Sequence, residues 1–122
     1  MTAPELKTIE SALRRRATGL ARSLAARNEI AIERSADEFD TKLLAAEREF
    51  AAQTMAQDYR LLRQIKAAMH RLNNGTFGLC LECDEEIAVK RLQAIPWAAY
   101  CVSCQEKVEG AAVFPPGQTQ AA

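Results

Sequence analysis

The four cysteines of the chain form two Cys-x-x-Cys pairs separated by seventeen residues. Two intervening residues let both thiolates of a pair point at one metal ion, and a second pair completes a tetrahedron. This spacing is typical of a four-cysteine zinc site. Because four thiolates leave no open position for water, we expect one structural Zn²⁺ ion, with Cys80, Cys83, Cys101 and Cys104 as its ligands.

A redox pair made of Cys80 and Cys83 is the alternative chemistry. Such enzymes carry a lone Cys-x-x-Cys within a βαβ pattern, which this sequence lacks. We find no Cys–His pairing and no phosphate-binding glycine loop in the sequence, so we expect no enzyme activity. The chain shows neither a signal-peptide pattern nor an apolar run of the roughly 18–20 residues that a membrane span needs. We therefore expect a cytoplasmic protein with no membrane partner.

Two long apolar stripes precede the cysteines and predict two long helices. The residues of each stripe recur three and four positions apart, which is the coiled-coil period. Arg27 interrupts the first stripe and Asp58 the second. The stripes are Leu6, Ile9, Leu13, Ala17, Leu20 and Leu24, and then Ala51, Met55, Leu62, Ile65, Met69 and Leu72.

The segment around residues 35–42 separates the stripes and predicts the tip of an antiparallel hairpin. The fold class expected is mostly α: a long two-helix coiled-coil hairpin over 1–76, then a small four-cysteine zinc finger with a short C-terminal helix over 77–109. Gly75 is expected to cap the second helix, and the short helix after Cys104 is expected to end at Gly110. Residues 110–122 are predicted to form a flexible tail.

The charge balance speaks against general affinity for nucleic acid. Sixteen basic residues equal sixteen acidic ones, and nonspecific binding depends on net positive charge. The run Arg14-Arg15-Arg16 is either a solvated helix face or a contact with a protein partner or nucleic acid. A zinc-ribbon nucleic-acid-binding protein, with Lys90 and Arg91 on phosphates, remains the alternative function. No specific DNA binding is expected.

The stretch from Phe77 to Cys104 resembles the zinc finger of the DksA/TraR family of bacterial transcription factors. The shared residues are Phe77, Gly78, Cys80, Cys83, Ile87, Arg91, Leu92, Ala94, Pro96, Cys101 and Cys104. The preceding hairpin extends the resemblance to about residues 4–109. Trp97 is expected to cover the small core of the finger together with Phe77 and Ile87.

The resemblance implies a regulator of transcription initiation that binds RNA polymerase directly. In DksA-like proteins the hairpin enters the secondary channel of polymerase, and its tip carries an Asp-x-x-Asp-x-Ala motif. The corresponding positions here are Asp37 and Asp40, with Lys42 in place of the alanine. Phe39 lies between the aspartates as a contact or packing residue. The alternative interpretation of the acidic residues is helix capping, with Ser35 as the N-cap of the second helix.

Some members of this family also form a site for the alarmone ppGpp together with polymerase, using basic residues of the second helix and the finger. At the positions that correspond, this chain has Gln64, Ile95 and Gln105. We therefore expect a weak or absent response to ppGpp.

Overall fold

The computed structural model describes the backbone of residues 1–37 and 42–113, and the side chains of residues 1–30 and 44–110. Two long helices come first, α1 (Ala3–Asp37) and α2 (Lys42–Asn74). Two short helices follow in the cysteine region, α3 (Val89–Ala94) and α4 (Val102–Val113). The predicted class is confirmed: a helical hairpin is followed by a small module that contains the four cysteines.

Thr2 and Glu5 form the cap at the start of helix α1. The Thr2 hydroxyl accepts a hydrogen bond from the Glu5 backbone N–H at 3.3 Å and donates one to the Glu5 carboxylate at 2.9 Å. This arrangement provides for one of the backbone donors that a helix start leaves without a partner. Helix α2 ends as predicted, because Gly75 has a φ of +75° and the Thr76 N–H bonds back to the Arg71 carbonyl at 3.0 Å. That backward bond is typical of a glycine-terminated helix.

The core of the molecule lies where the base of the hairpin meets the finger. Helix α1 contributes Ile9 and Leu13, and α2 contributes Ile65 and Ala68. The finger contributes five buried residues to the same cluster: Cys80, Ile87, Leu92, Ala98 and Cys104. Because a two-helix rod buries little apolar surface for its length, the finger supplies the third side of this core.

Trp97 and Phe77 are partly buried and pack against this cluster, of which Ile87 is a buried member. The predicted covering of the finger core is thus confirmed. Of the predicted stripes, Ile9, Leu13 and Leu24 are buried on α1.

Arg27 and Asp58, the charged residues that interrupt the two apolar stripes, contact each other. A guanidinium nitrogen of Arg27 lies 2.6 Å from a carboxylate oxygen of Asp58, and both side chains are about one-third exposed. This ion pair connects α1 to α2 across 31 positions of sequence. The neighbouring Tyr59 is exposed, and the contact between the helices is closed at this level by opposite charges.

Two expected helix boundaries are wrong. Helix α1 continues through Asp37, so Ser35 lies inside it and cannot be the N-cap of α2. Helix α4 starts at Val102, before Cys104, and continues past Gly110 to Val113. A glycine costs only about 1 kcal/mol inside a helix and ends one only where the chain turns away.

None of the helices in the described ranges is long and apolar enough to cross a membrane.

Candidate metal centre

The Sγ atoms of the four cysteines lie within 4.8 Å of one another. The Sγ atoms of Cys83 and Cys101 are 3.8 Å apart, far beyond the roughly 2.05 Å of a disulfide. A tetrahedron with Zn–S bonds of about 2.3 Å has edges of about 3.8 Å. The cluster therefore has the size that a zinc ion requires.

The first pair of cysteines lies on a tight backbone loop. The Cys80 N–H donates to the Glu85 carbonyl at 2.8 Å, and the Asp84 N–H donates to the Cys80 carbonyl at 3.0 Å. Asp84 takes a positive φ of 59°, a conformation that Asp tolerates better than most residues. These bonds curl the loop so that the thiols of Cys80 and Cys83 face the same point.

Gly78 lets this loop leave the base of the hairpin. Its φ is +91°, and its carbonyl accepts a hydrogen bond from the Ile87 N–H at 2.7 Å. A Cβ at this position would lie 3.4 Å from the Met1 side chain. Gly78 is one of the residues shared with the DksA/TraR zinc finger, and its positive φ explains why a glycine is favoured at this position.

The second pair lies at the start of α4. Cys101 precedes the helix, Cys104 lies in its first turn, and the Gln105 N–H bonds to the Cys101 carbonyl at 2.8 Å. The Leu81 N–H donates to the Ala99 carbonyl at 2.9 Å, which fastens the first loop to the segment before Cys101. The two pairs are therefore brought together by backbone bonds as well as by any metal.

Two arginines hold the segment before Cys101 in place. The Nε of Arg91 donates to the Tyr100 carbonyl at 3.1 Å, and a guanidinium nitrogen of Arg71 donates to the Ala98 carbonyl at 3.4 Å. Arg71 belongs to α2, so its bond joins the hairpin directly to the finger. This role of Arg71 was not predicted from the sequence. Its only signal was a long cationic side chain in the last turn of α2.

The protonation of the thiols is uneven. Burial by itself raises the pKa of Cys80, but hydrogen bonds from backbone groups, that of Cys83 foremost, outweigh burial and lower the pKa to about 6. Hydrogen bonding with the Cys101 side chain, together with burial, raises the pKa of Cys104 to about 12. Four thiolates so close together need a cation, and a divalent ion displaces the remaining protons.

The donor set, its size and its backbone support fit one structural zinc ion. Cys80, Cys83, Cys101 and Cys104 would hold it. With all four positions taken by sulfur, the ion would supply folding energy rather than a reactive water.

The predicted tip lies at the other end of the molecule. Asp37 is the last residue of α1 and Lys42 the first of α2, while Phe39 and Asp40 lie outside the described residues. The 35 residues of α1 correspond to about 50 Å at about 1.5 Å per residue. The cysteine cluster and the predicted tip are thus at opposite ends of a long rod.

Several known proteins match this chain in sequence. Residues 75–110 match the prokaryotic dksA/traR C4-type zinc finger. An uncharacterized protein of Aquifex aeolicus is 50% identical over 48 residues, which are 39% of this chain and 33% of that protein. The RNA polymerase-binding transcription factor DksA of Haemophilus influenzae is 35% identical over 65 residues, 52% of this chain and 45% of that protein.

The matching finger contains all four cysteines of the cluster. The similarity to the dksA/traR C4-type zinc finger thus covers residues 75–110 of the chain. The structure of transcription factor DksA2 from Pseudomonas aeruginosa matches 93% of this chain and 90% of its own length, with a TM-score of 0.76. Its identity of 22% makes this a likeness of fold alone. The chain spans less than half of each of the two curated relatives named above.

Proposed function

We propose that this chain is a non-enzymatic regulator of transcription that binds RNA polymerase directly. The observation that carries the proposal is the fold: a DksA2 structure superimposes on 93% of the chain, rod and finger together. The Haemophilus influenzae relative, an RNA polymerase-binding transcription factor that is 35% identical over the matched region, supports RNA polymerase as the partner. The secondary channel is the proposed place of binding, with the hairpin entering tip first.

The geometry suits a probe. A rod of about 50 Å can carry a small group deep into a narrow opening while the wider finger stays outside. The finger shares one core with the base of the rod, and the Arg71 bond to the Ala98 carbonyl also connects them. The angle between rod and finger is therefore fixed, so that docking of the finger would also aim the tip.

At the tip, Asp37 and Asp40 would act by charge. Interactions between charges are stronger in a confined channel than in open water. Two carboxylates near the catalytic magnesium, or near the mobile elements around it, would change the stability of the open promoter complex. Lys42 would place a positive charge beside them where related tips have alanine. We propose that Phe39 and Lys42 contact polymerase as part of the same tip.

The test is a binding assay with purified core RNA polymerase, paired with a zinc measurement on the same sample. We expect one zinc per chain and a stoichiometric complex. The variant Asp37→Asn/Asp40→Asn is expected to bind polymerase normally and to lose its effect on the lifetime of open complexes. If binding is intact and transcription responds to the variant as to the wild type, the tip assignment fails.

A second assay addresses ppGpp. Gln64, Ile95 and Gln105 provide no cation at the positions that correspond to the alarmone site. With polymerase that lacks its own separate ppGpp site, we expect ppGpp to leave the effect of this chain on transcription unchanged. An effect that strengthens as ppGpp is titrated would refute this expectation.

A further inference from the structure

The formal net charge of the chain is zero, but positive and negative residues are strongly segregated along the rod. Residues 11–27 of α1 contain five arginines and no acidic residue, and residues 57–71 of α2 contain four cations and one aspartate. Together these two segments, called here the basic belt, have a formal net charge of +8. The Arg27–Asp58 pair joins them at the tip side, and the buried contacts around Leu13 and Ile65 join them near the finger.

Both neighbours of the basic belt are acidic. Residues 28–56, the half of the hairpin nearer the tip, have seven acidic residues and three cations, a net charge of −4. Residues 72–122, which include the finger, have six acidic residues and three cations, a net charge of −3. The belt covers about 25 Å of helix at about 1.5 Å per residue, which is about three Debye lengths at physiological salt. Its positive field therefore persists at the surface although the chain as a whole is neutral.

Most cations of the belt have no internal counter-charge. Within the described side chains, the ion pairs that involve the belt are Arg14–Glu10 and Arg27–Asp58, and Arg71 is used in the bond to the Ala98 carbonyl. The remaining six cations are exposed and form no ion pair among the described residues. They are Arg15, Arg16, Arg22, Arg60, Arg63 and Lys66.

We infer that the basic belt is a docking surface for a bounded acidic patch on RNA polymerase, about 25 Å long, and that it sets how far the rod enters. This inference rests on the proposed function and specifies the partner surface. A rod with negative, positive and negative zones in sequence has one favourable axial position against such a patch. If the rod moved along its axis by about half the length of the belt, its acidic residues would face the acidic patch and be repelled by it.

The flanks also argue against nucleic acid as the occupant. A duplex or an extended single strand carries phosphates along its whole length. Lying along the rod, it would run past the belt onto the acidic tip half or the acidic finger and be repelled there. A folded protein surface whose negative charge is confined to about 25 Å avoids both zones.

The experiment compares two charge-reversed variants that have the same net charge. The belt variant is Arg15→Glu/Arg63→Glu, and its control is Lys7→Glu/Lys107→Glu, at exposed positions outside the belt. Each protein is labelled at its N-terminal amine and titrated with core RNA polymerase at 50, 150 and 300 mM KCl. Zinc content and thermal unfolding confirm that both variants remain folded.

We expect the belt variant to bind about tenfold more weakly than the control at 50 mM KCl, with the difference narrowing at 300 mM as salt screens the charges. Equal affinities of the two variants would overturn the belt inference and leave the proposed function standing. Failure of the wild type to bind polymerase at every salt concentration would instead refute the proposed function, and the belt inference with it.

Two further measurements exclude other occupants of the belt. The wild type is titrated at 150 mM KCl with a 20-nucleotide single-stranded RNA and a 20-base-pair DNA duplex, and we expect no saturable binding. Sedimentation at 50 mM KCl is expected to show a monomer. Tight binding to either nucleic acid, or self-association that the belt variant abolishes, would overturn the assignment to an acidic surface of polymerase.

Discussion

The Arg27–Asp58 pair is expected to stabilise the middle of the rod, and Asp58→Ala tests this directly. The two charged groups are 2.6 Å apart, and their side chains are 32% and 28% exposed. Fully exposed pairs contribute about 0.2–1 kcal/mol, while removal of one partner of a fully buried pair costs about 3–5 kcal/mol. For a pair about one-third exposed, we expect Asp58→Ala to lower the free energy of unfolding by about 1–2 kcal/mol.

The assay is urea unfolding of the zinc-loaded protein, followed by circular dichroism at 222 nm. Glu10→Ala is the matched control, because it removes the Arg14–Glu10 pair, which has the same 2.6 Å distance but side chains that are 66% and 40% exposed. We expect the control to lose less than about 0.5 kcal/mol. The double variant Arg27→Met/Asp58→Leu should regain the stability of the wild type, because apolar residues continue both stripes.

A double-mutant cycle over Arg27 and Asp58 then isolates their coupling. A coupling energy near zero would show that the Arg27–Asp58 pair does not stabilise the rod. The same conclusion would follow if Asp58→Ala cost no more than Glu10→Ala, since burial would then have no influence on the strength of the pair.

Three other predictions concern the core and the metal centre. Leu13→Ala removes a fully buried side chain and should lower the free energy of unfolding by about 2–5 kcal/mol. The Leu81 side chain is 56% exposed, so Leu81→Ala should lower that free energy by less than about 0.5 kcal/mol. Equal losses in urea unfolding would contradict the described core. Gly78→Ala should cost about 1–2 kcal/mol in the same assay, because the glycine has a φ of +91° that a Cβ disfavours, and an unchanged stability would contradict this conformation. Zinc affinity should rise with pH, because zinc binding at neutral pH must displace a proton from Cys104, whose pKa is about 12. Below pH 6, protons also compete with zinc at Cys80, whose pKa is about 6. Competition with a chromogenic chelator from pH 5 to 8 measures the affinity, and a constant affinity would count against thiolate ligation.

The hairpin and the cysteine cluster were predictable because their signals are strong and local. Spacing alone brought the four cysteines together, and the stripes located the buried Ile9, Leu13 and Leu24. Ala68 is fully buried but was not recognised, since alanine occurs on every face of these helices. An apolar period cannot distinguish a small core residue from a small surface residue.

The ion pair between Arg27 and Asp58 could not be predicted from the sequence. Arg27 and Asp58 were each identified as interruptions, but their pairing depends on the register between two helices. A pair of opposite charges, each interrupting an apolar stripe, was the available signal. The 31-position separation put the partners in different elements, where periodicity gives no information.

The ends of the helices depended on tertiary contacts. Gly75 ends α2 because the chain turns there with positive φ, whereas Gly110 is taken up into α4. Both are single glycines after helical segments, and the sequence contains little to separate them. Helix α3 has six residues, too few for an apolar period to be visible. Its position depends on Leu92, which is buried in the shared core.

We propose that the rod enters RNA polymerase with its tip foremost. Site-specific photo-cross-linking tests it most directly, with a photoreactive phenylalanine analogue at Phe39 and, in a second protein, at the exposed Val108 of the finger. We predict that the probe at position 39 cross-links to the polymerase subunit that holds the catalytic magnesium, and that the probe at position 108 cross-links to the outer surface. Cross-links from position 108 alone, in a complex of undiminished affinity, would show that the tip does not enter polymerase.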